Sequence, residues 1–241
     1  MEETIKKFSL SLVVPVLNEE DIIEETVEIF MRDLADVCED YEVIVVNDGS
    51  SDNTQAILER LAAGYGAKLK VISNNGNLGS GRSLIVGFEN SRFPIVATNF
   101  ADRPFDLKEL KNILPLFSGR ADFAVVCRFD RSANSIYRKL TSRVNYYLIR
   151  LLFGVKVSDF QFVQVYRMEM LRNLKVESNH TFVPPEIIIK AIAKGYKMVE
   201  YKSNFYPRGK GSSKCGHPRV ILSAICDMFR FWYKIRFNLR G

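Results

Sequence analysis

Short uninterrupted apolar runs alternate with amphipathic helical stretches through the first half of this chain, and that alternation leaves few folds open. SLSLVVPV (Ser9 to Val16), YEVIVVND (Tyr41 to Asp48), KLKVIS (Lys68 to Ser73), PIVATNF (Pro94 to Phe100) and FAVVCRF (Phe123 to Phe129) read as strands. Helical periodicity fills the gaps at Ile22 to Val37, Thr54 to Tyr65, Ser80 to Asn90 and Leu107 to Phe117. A strand without a polar face has to be covered on both sides, and helices between successive strands provide that cover. The pattern predicts a doubly wound α/β sheet, which binds ligands outside the carboxyl ends of its strands. Those ends carry Asn18-Glu19, Asp48-Gly49-Ser50 and Asp102.

Beyond Arg131 the pattern changes to long helical segments at Ile136 to Phe153, Pro185 to Lys194 and Arg219 to Phe237. Charges interrupt each of them before the roughly 20 apolar residues that a bilayer span needs. The 241 residues suffice for one large domain, and no linker-like stretch divides them. The net charge of +6 is unevenly spread: residues 201–241 hold nine Lys or Arg against one acid, Asp227. Four cysteines are scattered without metal-ligand or disulfide-framework spacing, which points to reduced thiols in the cytoplasm. With no apolar segment after an N-terminal basic cluster, the expectation is a protein that stays in the compartment where it is made. His180 and His217 lack ligand-like neighbours and read as structural.

VVNDGSSDNT, Val45 to Thr54, has two readings. It is a strand, a tight turn and a cluster of helix-capping residues. It also puts Asp48 at a strand's carboxyl end, where a carboxylate can accept from a nucleotide base or a ribose hydroxyl. YPRGKGSSK, with Arg208 and Lys214 six apart, is a Gly-rich basic loop whose backbone N–H groups and cations suit phosphate oxygens; a solvated basic loop is the plain alternative.

Taken together, VPVLNEED (Val14 to Asp21), VNDGSSDNT, NNGNLGSGRSLIVGF (Asn74 to Phe88) and the loop at Ala101-Asp102 resemble the family 2 glycosyltransferases of GT-A fold. Within these the chain is most similar to the dolichyl-phosphate mannose synthase branch of polyprenyl-phosphate glycosyltransferases, from roughly Leu10 to Lys214. The resemblance implies a single GT-A domain over 1–241, with a Rossmann-like, mostly parallel sheet flanked by helices. About 1–130 would be the nucleotide-sugar half, about 131–218 the acceptor half and 219–241 a basic aromatic interfacial helix. It implies inverting transfer of a sugar from GDP or UDP to dolichyl or undecaprenyl phosphate. A non-lipid acceptor and a silent nucleotide-sugar-binding subunit of a membrane complex are the alternatives.

Carried over by position, Pro15, Leu17, Glu19, Val46 and Asp48 would line the nucleotide pocket, and Ala101 and Asp102 would face the diphosphate. Arg128, Arg208 and Lys214 would meet phosphates, with Asp102, Arg128 and Arg208 forming the catalytic group. Arg138 and Ser142, four apart on one helix face, would hold the acceptor phosphate. SIYRKLTSRVNYYLIRLLFG around them has cations and no acid, which suits anionic lipid headgroups; an amphipathic core helix is the alternative. Phe229, Phe231, Trp232, Tyr233 and Phe237, mixed with Arg and Lys, fit a helix lying at a membrane boundary or one packed on the sheet. Relatives that continue into transmembrane helices would do so after this point, so peripheral binding at the cytoplasmic face or a membrane-protein partner is expected. Nucleic acid is not expected, because the strand-end acids would repel its backbone.

The family's Asp-x-Asp loop, whose acids hold a divalent cation with the donor, corresponds here to Phe100-Ala101-Asp102, and the following DRPFD is short. Three consequences stay open. Asp102 with phosphate oxygens and water holds Mg2+ or Mn2+; Arg103, Arg128, Arg208 and Lys214 neutralise the diphosphate without metal; or donor binding survives without catalysis.

Overall fold

The structure is a computed structural model that describes residues 8–128, 136–204, 206 and 218–238; the side chains of 136–143, 145, 218–221 and 238 are not described. Among the described residues seven strands form one sheet: β1 Ser9–Val16, β2 Asp40–Asn47, β3 Leu69–Ser73, β4 Ile95–Thr98, β5 Phe123–Arg128, β6 Gln164–Arg167 and β7 Met198–Ser203. Their order is β3-β2-β1-β4-β6-β5-β7. β6 alone runs antiparallel to its neighbours, pairing Val165 with both Ala97 and Ala124. Six strands therefore end on the same edge, and this common rim gathers Leu17 to Glu19, Asp48, Asn74, Asp102, Arg128 and the chain after Ser203.

Helices α1 Ile23–Val37, α2 Thr54–Tyr65, α3 Ser80–Glu89, α4 Leu110–Ile113, α5 Ile136–Phe153, α6 Met168–Arg172, α7 Val183–Ala193 and α8 Pro218–Asn238 cover the sheet. The inner strands are sealed on both faces: Leu12 and Val14 of β1 point into one apolar layer with Phe30 and Leu34 of α1, and Val13 points into the other with Leu84 and Phe88 of α3. This two-sided burial explains why β1, β2, β4 and β5 are mostly apolar; among the exceptions, the buried Ser11 and Glu42 satisfy each other through a 2.5 Å hydrogen bond from Ser11 Oγ to Glu42 Oε1.

The second half departs from the expected run of helices. β6 and β7 were hidden because β6 has four residues and β7, on the sheet edge, carries Glu200 and Lys202 among its apolar positions. The helix expected at Leu107 to Phe117 breaks into a 3-10 turn, α4 and a second 3-10 turn containing Pro115. α7 starts earlier than read, with Pro184 and Pro185 in its first turn, where a missing N–H costs nothing.

α8 docks on the body through Met228 and Phe231, both buried, with Phe231 packed between Phe153 of α5 and Phe182 at 5.5 and 5.9 Å. Polar ties fix its rotation. Asp227 pairs with His180 Nδ1 at 3.0 Å, Lys190 Nζ lies over the Phe231 ring, and Lys234 donates to Glu177. The Lys234 hydrogen bond holds the Glu177 carboxyl below its usual range. Beneath them Glu186, fully buried, accepts from the backbone N–H groups of Glu177 and Ser178 at 2.9 and 2.8 Å and from Lys190 at 2.7 Å, so its charge is paired and its oxygens are satisfied.

Candidate active site at the sheet rim

The loops after β1 and β2 are laced together. Asn18 adopts a left-handed conformation (φ 50°), tolerable for Asn. Its Oδ1 accepts from Ser51 N at 2.7 Å, and its N–H donates to Ser50 Oγ at 2.8 Å. Glu19 N donates to Thr54 Oγ1 at 2.9 Å, and Glu20 N to Asp52 Oδ2 at 3.2 Å. The capping residues of DGSSDNT thus brace the neighbouring strand's loop as well as their own helix, and the hydrogen bonds from Thr54 and Glu20 keep Asp52 ionised to lower pH despite some burial.

Asp48 is buried, and its carboxylate organises a third loop. Oδ1 accepts from Asn74 Nδ2 and Leu78 N, both at 2.9 Å, and Oδ2 accepts from Gly79 N at 2.8 Å. NNGNLG is thereby folded onto the end of β2. Gly49 allows this approach: its φ is +76°, and a β-carbon there would lie 2.6 Å from the Gly76 carbonyl carbon. Leu17 and Glu19 sit half-buried on the rim beside it, whereas Pro15 and Val46 are buried within β1 and β2 below it.

The β4 loop is equally constrained. The buried Asn99 donates through Nδ2 to the Phe105 carbonyl at 3.0 Å and accepts from Phe100 N at 3.0 Å, while Thr26 of α1 donates to the Ala101 carbonyl at 2.8 Å. Ala101 is buried; Phe100 and Asp102 are half-buried. Arg103 sits at φ 48° with its guanidinium 3.1 Å from Glu25. Holding a non-glycine residue in this region costs on the order of 1–3 kcal/mol, so the loop's shape is imposed by its hydrogen bonds.

Arg128 ends β5. Its Nε and Nη2 donate to Asp159 Oδ2 and Oδ1 at 2.7 and 3.1 Å, and the guanidinium lies over the Phe162 ring at 5.4 Å. Asp159 is buried just before β6, whose antiparallel start places it on the same rim. Beyond β7, Tyr206 N donates to the Pro104 carbonyl at 3.1 Å, which puts Tyr206 beside the Asp102 loop. Arg208 and Lys214 lie outside the described residues, as do the side chains of Arg138 and Ser142, which are carried one turn apart on α5.

The family model for glycosyl transferase family 2 matches residues 11–175, well over half of the sequence and every loop of this rim up to β6. The chain belongs to that family. Curated relatives include the dodecaprenyl-phosphate galacturonate synthase of Rhizobium johnstonii, 28% identical over 97% of this chain and 70% of that protein. They also include glycosyltransferase AglD of Haloferax volcanii, 29% identical over 94% of this chain and 37% of that protein. A third is the undecaprenyl-phosphate 4-deoxy-4-formamido-L-arabinose transferase of Edwardsiella ictaluri, 27% identical over 88% of this chain and 64% of that protein. The chain thus spans less than two thirds of the latter two.

Among solved structures, glucosyl-3-phosphoglycerate synthase from Mycobacterium tuberculosis in complex with phosphoglyceric acid superposes with a TM-score of 0.71, at 18% identity over 92% of this chain and 79% of that one. The same enzyme in complex with Mn2+, UDP and phosphoglyceric acid gives 0.70, at 20% identity over 93% and 78%. This likeness confirms the GT-A fold.

Within this family 2 glycosyl transferase the rim contains residues that the sequence alone did not single out. Asp159 is the main one. Its signal was indirect: an arginine at a strand end, flanked by apolar residues, needs a buried counter-charge. Thr26, Asn74 and Asn99 are others, each legible only once the loops they tie are brought together. As to the metal expected from the Asp-x-Asp resemblance, the described residues contain no cluster of three or more His, Cys, Asp or Glu able to hold an ion. Asp102 places one half-buried carboxylate on the rim. That set fits a Mg2+ or Mn2+ ion brought with a diphosphate, since such ions use one or two carboxylates plus substrate phosphates.

Proposed function

We propose that this glycosyl transferase moves a sugar from GDP or UDP to a polyprenyl phosphate, with inversion, at the cytoplasmic face of a membrane. The observation that carries the reading is the convergence on one sheet edge of the Asp48-ordered loop, the Asp102 loop and the Arg128–Asp159 pair, with Tyr206 tied to Pro104 of the Asp102 loop. The relatives named for dodecaprenyl and undecaprenyl phosphate support the acceptor class.

Leu17, Glu19 and Asp48 then form the nucleotide side, over a floor that includes Pro15 and Val46. Ala101 and Asp102 face the diphosphate, and Arg128, Arg208 and Lys214 offset its charge. Arg138 and Ser142 hold the acceptor phosphate. One phosphate oxygen attacks the anomeric carbon, the bond from that carbon to the donor diphosphate breaks, and the electron pair leaves on the nucleoside diphosphate. The nucleophile is already an anion at neutral pH, so no side chain need take a proton. The work of the chain is alignment and charge stabilisation. A divalent ion between Asp102 and the diphosphate would add to that stabilisation.

The test is incubation of the full chain with labelled UDP- and GDP-sugars and undecaprenyl or dolichyl phosphate. Label moving into the organic phase as a lipid-phosphate sugar is the expected result; transfer only to a water-soluble acceptor would contradict it. Phe100, standing where the family has its first acid, favours a second reading, a nucleotide-sugar-binding subunit without transfer. Donor binding with no label on any acceptor would support it. Phe100→Asp is expected to strengthen metal dependence, with the activating Mn2+ concentration falling about tenfold as one more carboxylate joins the ion. An unchanged metal response would remove Phe100 from the diphosphate.

A further inference from the structure

We infer that His180 and Asp227 form a positioning pair that seats the start of α3 against Asp48, so that nucleotide affinity depends on a contact made by α8. The inference rests on the reading of the rim as a nucleotide-sugar site. His180 lies in the turn into α7, where its carbonyl accepts from Val183 N at 3.2 Å. Its backbone and its ring both press on α3. A β-carbon on Gly81 would lie 1.8 Å from the His180 carbonyl oxygen, and one on Gly79 would lie 3.4 Å from Cδ2 of the ring. Gly79 also needs glycine for its φ of +93°. Gly81 is an ordinary helical residue, and alanine is favoured in a helix wherever there is room for it. The missing β-carbon at Gly81 therefore marks the close approach of the turn from His180 to Val183.

Burial does not hold the imidazole in place, because 46% of the His180 side chain is exposed. Asp227 does. Its Oδ2 lies 3.0 Å from ring Nδ1 and 3.4 Å from the His180 backbone nitrogen, and its own side chain is 14% exposed, where water competes weakly for it. A carboxylate on Nδ1 fixes the plane of the ring and its tautomer, with the proton of the neutral ring on Nδ1. On its other side Gly79 meets Asp48: Gly79 N donates to Asp48 Oδ2 at 2.8 Å, and Leu78 N donates to Oδ1 at 2.9 Å. Gly79 is thus held between the carboxylate of the nucleotide side and the His180 ring. Removing the ring or its anchor lets the first turn of α3 shift, and with it the amides that order Asp48. The one acid of residues 201–241 serves this link.

The test follows the full chain with UDP and with GDP, in the absence of any acceptor. His180 and His217 are the two histidines of the sequence, so proton–carbon spectra of the imidazoles contain two sets of signals, which His217→Gln assigns. Saturation with the nucleotide that binds is expected to shift the His180 signals. His180→Ala and Asp227→Ala are each expected to weaken that nucleotide about tenfold in calorimetry, and the double variant no further, because the two act as one unit. Asp227→Asn keeps an oxygen for Nδ1–H and should stay within about threefold of the native chain. Gly81→Ala should weaken binding about tenfold by displacing the turn, although both members of the pair remain. His180 signals that stay in place while nucleotide binds, or native affinity in His180→Ala, would overturn the inference. Weakening in Asp227→Ala but not in His180→Ala would also overturn it, leaving Asp227 as a tie for α8 alone. A native chain that binds neither UDP nor GDP would overturn the rim reading itself, and the inference with it.

Discussion

Asp159→Ala is expected to lower stability by about 3–5 kcal/mol and to remove sugar transfer. The side chains of Arg128 and Asp159 are 17 and 3% exposed, and two hydrogen bonds at 2.7 and 3.1 Å fix the guanidinium plane. Removing the carboxylate takes away both hydrogen bonds that hold a largely buried guanidinium, and losing one partner of such a pair costs far more than the pair contributes when intact. Arg128→Met/Asp159→Leu separates the two roles. If the pair serves only the fold, the double variant should regain both stability and activity. In the present account it regains most of the stability in urea titrations and none of the transfer, because the cation at the rim is gone. Recovery of activity in the double variant would remove Arg128 from the catalytic group.

Gly49→Ala should have the next largest effect. A left-handed backbone costs a non-glycine residue roughly 1–2 kcal/mol. The added carbon would also lie 2.6 and 2.7 Å from Gly76 backbone atoms, so the 74–79 loop has to move away from the three hydrogen bonds that it gives Asp48. The combined loss is expected to reach about 3 kcal/mol, with donor affinity falling at least about tenfold. Gly76→Ala is the control. Its φ is +96°, but a β-carbon there meets nothing within 4 Å, so it should show the backbone penalty without the displacement. Equal effects of the two substitutions in urea titration and in donor binding would show that the approach of the two loops is unimportant.

These two cases mark where the sequence was readable. The inner strands were legible because burial on both faces leaves an unbroken apolar run, and their carboxyl ends located Asp48 and Asp102 on one rim. β7 was not, because an edge strand keeps one side in water and carries charge, and β6 was too short for any periodicity to show. Asp48 stood out as an acid at a strand end, yet the loop it organises lies some 30 residues away. Asp159 is separated from Arg128 by 31 residues, and no local pattern announces such a pair. The C-terminal helix was half-read: its aromatic and basic composition suggested either a membrane boundary or packing on the body, and α8 packs Met228 and Phe231 onto the body while Phe229, Tyr233 and Phe237 stay exposed.

The central claim is that the loops of this rim form a nucleotide-sugar site, and calorimetric titration of the full chain with UDP- and GDP-sugars, with Mg2+ and with chelator, tests it most directly. The account predicts saturable binding of one nucleotide class at one site per chain, weakened by Gly49→Ala. Heat changes no different from buffer for every nucleotide sugar, in either metal condition, would contradict it.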